Sequence, residues 1–179
     1  MRRLTLAVLA VGVLASPQAP AGSPAPAPAT RVAVEVFSVG PGPDDGLVFI
    51  RQEGDLRDGA NPDGRARALS HGEVALIHST SWRWQPDRRI VLTYLAWTNE
   101  NTLGKEARKP PSLTPPTPPD PLHPRPAEIA DLDPLAHGLR HLAFLLRTSR
   151  DGAVAGALGP RGVAALSSIE ADVAGELAR

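Results

Sequence analysis

The chain has 179 residues, of which 42% are hydrophobic, and its 19 basic and 19 acidic side chains cancel. This length is ordinary for a single folded domain. The balanced charge provides no basic surface for phosphates and argues against a nucleic-acid partner. The chain contains no cysteine, which excludes disulfides, thiolate metal sites and cysteine nucleophiles.

The first 21 residues have the order of an export signal. Arg2 and Arg3 precede an uncharged run from Leu4 to Ala15, and small residues follow as far as Ala21. The apolar run is shorter than the roughly 20 residues that span a bilayer, so we predict a cleaved signal peptide over 1–21 and no membrane span in the mature protein. The predicted location is the periplasm, the cell envelope or the exterior. A misplaced start codon is the alternative, and it would leave a cytoplasmic protein.

An Ala/Pro-rich tether over 22–30 leads into one predicted domain over 31–179. Alternating valines from Arg31 to Val39 indicate a half-buried strand with Arg31 and Glu35 on its solvated side. A Gly/Pro-rich turn and the β-rich Leu47 to Arg51 then complete a hairpin. The acidic, glycine-rich stretch from Glu53 to Arg65 predicts a surface loop, and its carboxylates lack the spacing of a calcium loop.

The strongest strand pair is Val74 to Gln85 with Ile90 to Thr98, because both runs are rich in β-branched and aromatic residues. Strict alternation places His78, Trp82 and Trp84 on one face of the first strand. The simpler interpretation is a core face filled by the two tryptophans. The functional interpretation is an apolar ligand-binding surface with a histidine as its polar group.

The second half of the chain predicts helices. Nine prolines within 110–126 exclude regular structure there and predict an extended strap. Asp133 and Pro134 have the form of a helix start, and leucines recur at helical spacing from Leu135 to Leu146. A last helix is predicted from Pro160. The fold class is therefore α+β, an antiparallel sheet of about four strands followed by C-terminal helices packed on one of its faces.

His137 and His141 lie four residues apart on the main predicted helix, so both imidazoles project from one side. Together with a third ligand, His78 on the strand or His123 in the strap, they could bind zinc and activate water. A helical wheel instead places both histidines nearly opposite the leucines, which predicts solvated side chains. The glutamate of the H-E-x-x-H arrangement is also missing.

These patterns leave three functional hypotheses. The first is an exported, non-enzymatic binding or structural domain without a cofactor, whose partner is an unknown small molecule or an envelope protein. The second is a small metal-assisted hydrolase that uses His137, His141 and a third ligand. The third is an intracellular protein with a misassigned start.

Overall fold

The computed structural model of the protein describes residues 29–44, 46–99, 103–110, 113 and 129–172. The predicted signal peptide (1–21), most of the tether (22–30) and most of the strap (110–126) lie outside these ranges, and those assignments stay predictions. The described ranges form an α+β fold, which confirms the predicted class.

A four-stranded sheet and three helices make up the described part of the chain. The strands are β1 (Arg31–Pro41), β2 (Leu47–Asp55), β3 (Val74–Gln85) and β4 (Arg89–Thr98), and the helices are α1 (Pro62–Leu69), α2 (Asp133–Thr148) and α3 (Ala153–Ser167). The strand order is β2-β1-β4-β3. Both predicted hairpins are confirmed as antiparallel pairs, and they join through a parallel pairing of β1 with β4 that the sequence analysis did not anticipate.

The two faces of the sheet carry different helices. The main core lies on the α2–α3 face, where Phe37, Leu95 and Trp97 of the sheet meet Leu139 and Leu142 of α2. The predicted packing of the C-terminal helices on one face is thus confirmed. The opposite face, called the α1 face, has a smaller core in which Ala66 of α1 packs on strand residues such as Val34, Val36 and Tyr94. Because helices cover both sides of the central strand β1, both sides of that strand are buried, including the side that was predicted to be solvated.

The predicted loop over Glu53 to Arg65 is wrong at both ends. Strand β2 continues to Asp55, and helix α1 begins at Pro62. The helix start follows from Asn61, whose side-chain oxygen accepts a hydrogen bond from the backbone nitrogen of Asp63 at 2.9 Å. The dipeptide Asn61-Pro62 is therefore a helix start, although it also resembles ordinary turn chemistry.

The C-terminal helices differ from the predictions in detail. Helix α2 includes Asp133 and Pro134, but the Asp133 carboxylate accepts a hydrogen bond from the Ala130 backbone nitrogen at 2.8 Å and does not cap α2. Helix α3 begins at Ala153, earlier than the predicted Pro160, and its path breaks at Gly159, where φ is 66°. The predicted start thus marks the second half of a broken helix.

Helix α3 closes over Trp97, the largest fully buried side chain in the described residues. The indole N–H of Trp97 donates to the Asn99 side-chain oxygen at 2.9 Å and to the Leu158 carbonyl oxygen at 3.2 Å. A side chain at Gly162 would overlap the Trp97 ring, so the absence of a Cβ at this position lets the helix approach the indole.

Candidate functional site

The structure brings His78 and His141 into direct contact across the α2–α3 face. The Nε2 atom of His78 lies 3.1 Å from Nδ1 of His141, and the two ring centroids are 4.8 Å apart. Gly138 allows this approach, because a Cβ there would lie 3.2 Å from Thr80 Cγ2 and 3.3 Å from Leu95 Cδ1. The glycine therefore allows α2 to pack close to β3 and β4, and this close packing places His141, about one turn later, against His78.

His137 lies one turn before His141 on α2, close enough for its charge to affect the His141 imidazole, and we call His78, His137 and His141 the histidine cluster. His137 and His141 are only 6% and 7% exposed, so the prediction that they are solvated is wrong. The wheel identified the leucine stripe correctly but could not show that α2 is enclosed on its other side as well. Strand β3 lies against that side, and the backbone nitrogen of Asp172 donates to the Arg140 carbonyl oxygen, which brings the chain after α3 back onto α2.

Burial dominates the electrostatics of the histidine cluster. It lowers the pKa of all three imidazoles, because a buried site disfavours the charged form. The other two histidines lower the pKa of His141 further, and the Asp172 carboxylate opposes them. Asp172 is itself engaged by Arg140, with 3.1 Å between the guanidinium and carboxylate atoms. The imidazoles are therefore neutral near pH 7 and able to accept hydrogen bonds or bind metal ions.

Trp82 and Trp84 occupy the other face of the sheet from His78. A register shift between Ser79 and Ser81 interrupts the alternation of β3, so that His78 pairs with Leu95 while the tryptophans pair with Leu92 and Ile90. Strict alternation had placed all three side chains on one face, and this prediction is wrong because the bulge adds a residue between them.

The two tryptophans are exposed and do not fill the core. Trp82 is 65% exposed and Trp84 is 53% exposed, which contradicts their interpretation as core residues. Their cross-strand neighbours Leu92 and Ile90 are half-buried. Helix α1 packs nearer the other end of this face, against residues such as Tyr94 and Ala96. We call Trp82, Trp84, Ile90 and Leu92 the tryptophan surface.

A buried carboxylate that the sequence analysis assigned to a solvated face forms the third notable cluster. Glu35 is 0% exposed, and both of its oxygens accept from the Arg83 guanidinium, at 2.7 and 3.0 Å. Arg51 lies 2.7 Å from one of the oxygens, and the Thr93 hydroxyl donates to the other at 3.0 Å. Since these donors fully occupy the carboxylate, the cluster is an ion-pair network and offers no free group for proton transfer.

Other candidate groups have structural roles. In the described ranges no group of three or more His, Cys, Asp or Glu side chains is arranged to hold a metal ion, and the metal-assisted hydrolase stays a prediction. Asp63, in the acidic stretch considered for calcium, accepts a hydrogen bond from the Tyr94 hydroxyl at 2.8 Å. Burial, and after it this hydrogen bond to Asp63, raises the pKa of Tyr94 to about 12.

Neither protein families nor curated proteins provide a relative of this chain. No protein-family model matches the chain, and a search of curated proteins finds no match. Among the helices of the described residues, none has the length and apolar character needed to span a bilayer. Functional inference therefore rests on the arrangement of the side chains.

Proposed function

We propose that this chain is a non-enzymatic binding domain, and that its partner is a protein that docks on the tryptophan surface. The observation that carries the proposal is the exposure of Trp82 and Trp84, two large rings on adjacent same-side positions of one strand. Tryptophan is enriched at the energetic centres of protein interfaces, where burial of its large ring gives affinity. Scattered single apolar residues are normal on surfaces, but two exposed tryptophans with half-buried Leu92 and Ile90 beside them form a patch.

The position of the tryptophans at the sheet edge indicates how the partner binds. Strand β3 pairs with β4 on one side, and no other described strand pairs with its outer side. The opposite edge of the sheet differs, because the backbone of Phe49 in β2 exchanges two hydrogen bonds with Arg108. An extended segment of the partner can add to β3 through backbone hydrogen bonds, while the tryptophan side chains contact its alternate residues.

The composition of β3 fits an edge that accepts another strand. Natural edge strands are commonly protected by lysines, prolines or inward-pointing charges. The only charged side chain in β3 is Arg83, and its guanidinium is engaged by Glu35. The bulge near Ser79 protects the first half of the strand, so we place the docking segment along Ser81–Gln85.

The proposal can be tested without a known partner by selecting peptides from a random library on the full-length protein. We expect selected peptides to lose at least tenfold in affinity for Trp82→Ala and Trp84→Ala variants, since each removes a large contact ring. Ile129→Ala is the matched control, because Ile129 is an exposed large apolar residue outside the tryptophan surface. Far-UV circular dichroism and melting curves establish that the variants remain folded.

A second arm tests the strand-addition geometry. Methylation of alternate backbone nitrogens in a selected peptide should abolish binding, and the bound peptide should slow hydrogen exchange of amides in Ser81–Gln85. Peptides that bind both tryptophan variants as well as the unaltered protein would overturn the proposal. Binding confined to small molecules would overturn it as well.

A further inference from the structure

We infer that His78 and His141 form a binding site for a divalent metal ion that prefers imidazole ligands, such as Cu²⁺ or Zn²⁺. The two side chains come from β3 and α2, and their nearest nitrogens, Nε2 and Nδ1, lie 3.1 Å apart. The site lies on the α2–α3 face, away from the tryptophan surface, and the inference does not depend on the proposed protein-binding function.

The separation of the two nitrogens fits joint coordination of one ion. Zinc–imidazole bonds are about 2.0–2.1 Å, so two nitrogens at a tetrahedral angle lie roughly 3.3 Å apart. Two nitrogens at a right angle, as in the tetragonal geometry of Cu²⁺, lie about 2.9 Å apart at the same bond length. The observed 3.1 Å falls between these values, and only a small adjustment of either ring would serve one ion or the other.

The chemistry of the two side chains fits the same class of ion. Imidazole is a preferred ligand of zinc and copper, and it must be neutral to bind them. A hydrogen bond from one neutral ring to the other would also give a short nitrogen–nitrogen contact, and the experiment must therefore separate a hydrogen-bonded pair from a metal site.

The remaining coordination positions would be open. His137 lies nearby, Asp172 is engaged by Arg140, and the described residues hold no three-ligand group. His78 is half-buried, so the pair is partly open to solvent. The site therefore resembles an open metal site more than a closed structural one, and we expect moderate affinity.

The test is isothermal titration calorimetry, in which Cu²⁺ or Zn²⁺ is added to the chelator-treated, full-length protein, together with melting curves at several metal concentrations. We expect one ion per chain and a rise in melting temperature with metal concentration, because an ion that binds only the folded state stabilises it by mass action. His78→Gln and His141→Gln should each weaken binding at least tenfold. His71→Gln is the matched control, because the His71 ring contacts Gln52 and is not part of the histidine cluster.

Spectroscopy of the unaltered protein keeps the test valid if a variant fails to fold. Electron paramagnetic resonance of the Cu²⁺ complex should show superhyperfine coupling from two imidazole nitrogens, one from His78 and one from His141. Absence of stoichiometric binding, or binding that is retained in both His78→Gln and His141→Gln, would overturn the inference and leave a hydrogen-bonded pair. Since neither tryptophan is altered, peptide binding measured on the same variants reports separately on the proposed function.

Discussion

Replacing Glu35 with glutamine should destabilise the domain more than any other change of a single charged group described above. The substitution keeps the size and one acceptor oxygen of the side chain, but it places an amide NH₂ group, a donor, against the guanidinium groups of Arg83 and Arg51. Arg83 loses its counter-ion, and Arg51 loses the nearest of its carboxylate partners and keeps Glu53 at 3.6 Å, in a site where the Glu35 carboxylate is fully buried.

The expected loss in the free energy of unfolding follows from the number of hydrogen bonds in which Glu35 no longer provides a charged acceptor. A hydrogen bond to a charged group contributes about 1.5–3 kcal/mol, and each of the two arginines loses such an interaction. Their sum agrees with the roughly 3–5 kcal/mol measured when one partner of a buried ion pair is removed. We expect Glu35→Gln to lower the free energy of unfolding by about 3–5 kcal/mol. The loss should not be larger, because the Arg51 side chain is 25% exposed and regains some hydration.

Urea denaturation followed by circular dichroism measures the effect as a lower transition midpoint at an unchanged m-value. Asp87→Asn is the matched control, because the Asp87 carboxylate is 49% exposed and pairs at the surface with Arg31 at 3.3 Å and with Arg89 at 3.6 Å. An exposed pair contributes about 0–1 kcal/mol, so this variant should differ little from the parent protein. A loss below about 1 kcal/mol in Glu35→Gln would refute the argument, since it would mean that water reaches the carboxylate.

Three further predictions follow from packing, titration and capping. Gly162→Ala should lower the free energy of unfolding, measured by calorimetry, by about 1–3 kcal/mol, because the new methyl group overlaps the buried Trp97 ring. This loss exceeds the gain from the better helix propensity of alanine, and an increase in stability would show that α3 can move away from the ring. The free energy of unfolding should be constant between about pH 7.5 and 9 and fall as the pH drops below 6.5, because the histidine cluster binds protons more readily in the unfolded chain than at its lowered folded-state pKa values. Chemical denaturation at several pH values checks this, and stability that rises on acidification to pH 5.5 would contradict it. Asn61→Ala should cost about 1 kcal/mol in the same assay by removing the cap of α1, and an unchanged value would show that the helix start does not depend on the cap.

Local patterns in the sequence predicted most of the fold. Alternation and turn residues located β3 within its observed bounds, and the Asp133-Pro134 pair located the start of α2. What they could not supply was which faces of an element become covered. Glu35 was predicted to be solvated because β1 reads as a half-buried strand, whereas pairing with β4 and β2 places that strand in the centre of a sheet covered on both sides.

The candidate sites show the same limit on a smaller scale. One extra residue at the Ser79–Ser81 bulge separates His78 from Trp82 and Trp84, and no turn-forming glycine or proline in the sequence marks that position. The contact of His78 with His141 joins residues 63 positions apart, so it depends on how β3 meets α2 and not on local spacing. Gly138 could have been noticed in the sequence, because it lies in the middle of a predicted helix and far from any turn. A glycine in that position indicates that a neighbouring element packs closely against the helix.

The parallel pairing of β1 with β4 also has a consequence for the order of folding. The β1–β2 and β3–β4 hairpins each join neighbours in sequence, but the seam between them pairs residues such as Val36 and Tyr94, whose separation is 58 positions. Loop closure over that distance costs entropy before any seam contact forms, and folds rich in distant contacts fold more slowly. We expect each hairpin to form early and the seam to set the folding rate, so the first strand to be synthesised cannot complete its pairing until β4 has followed it.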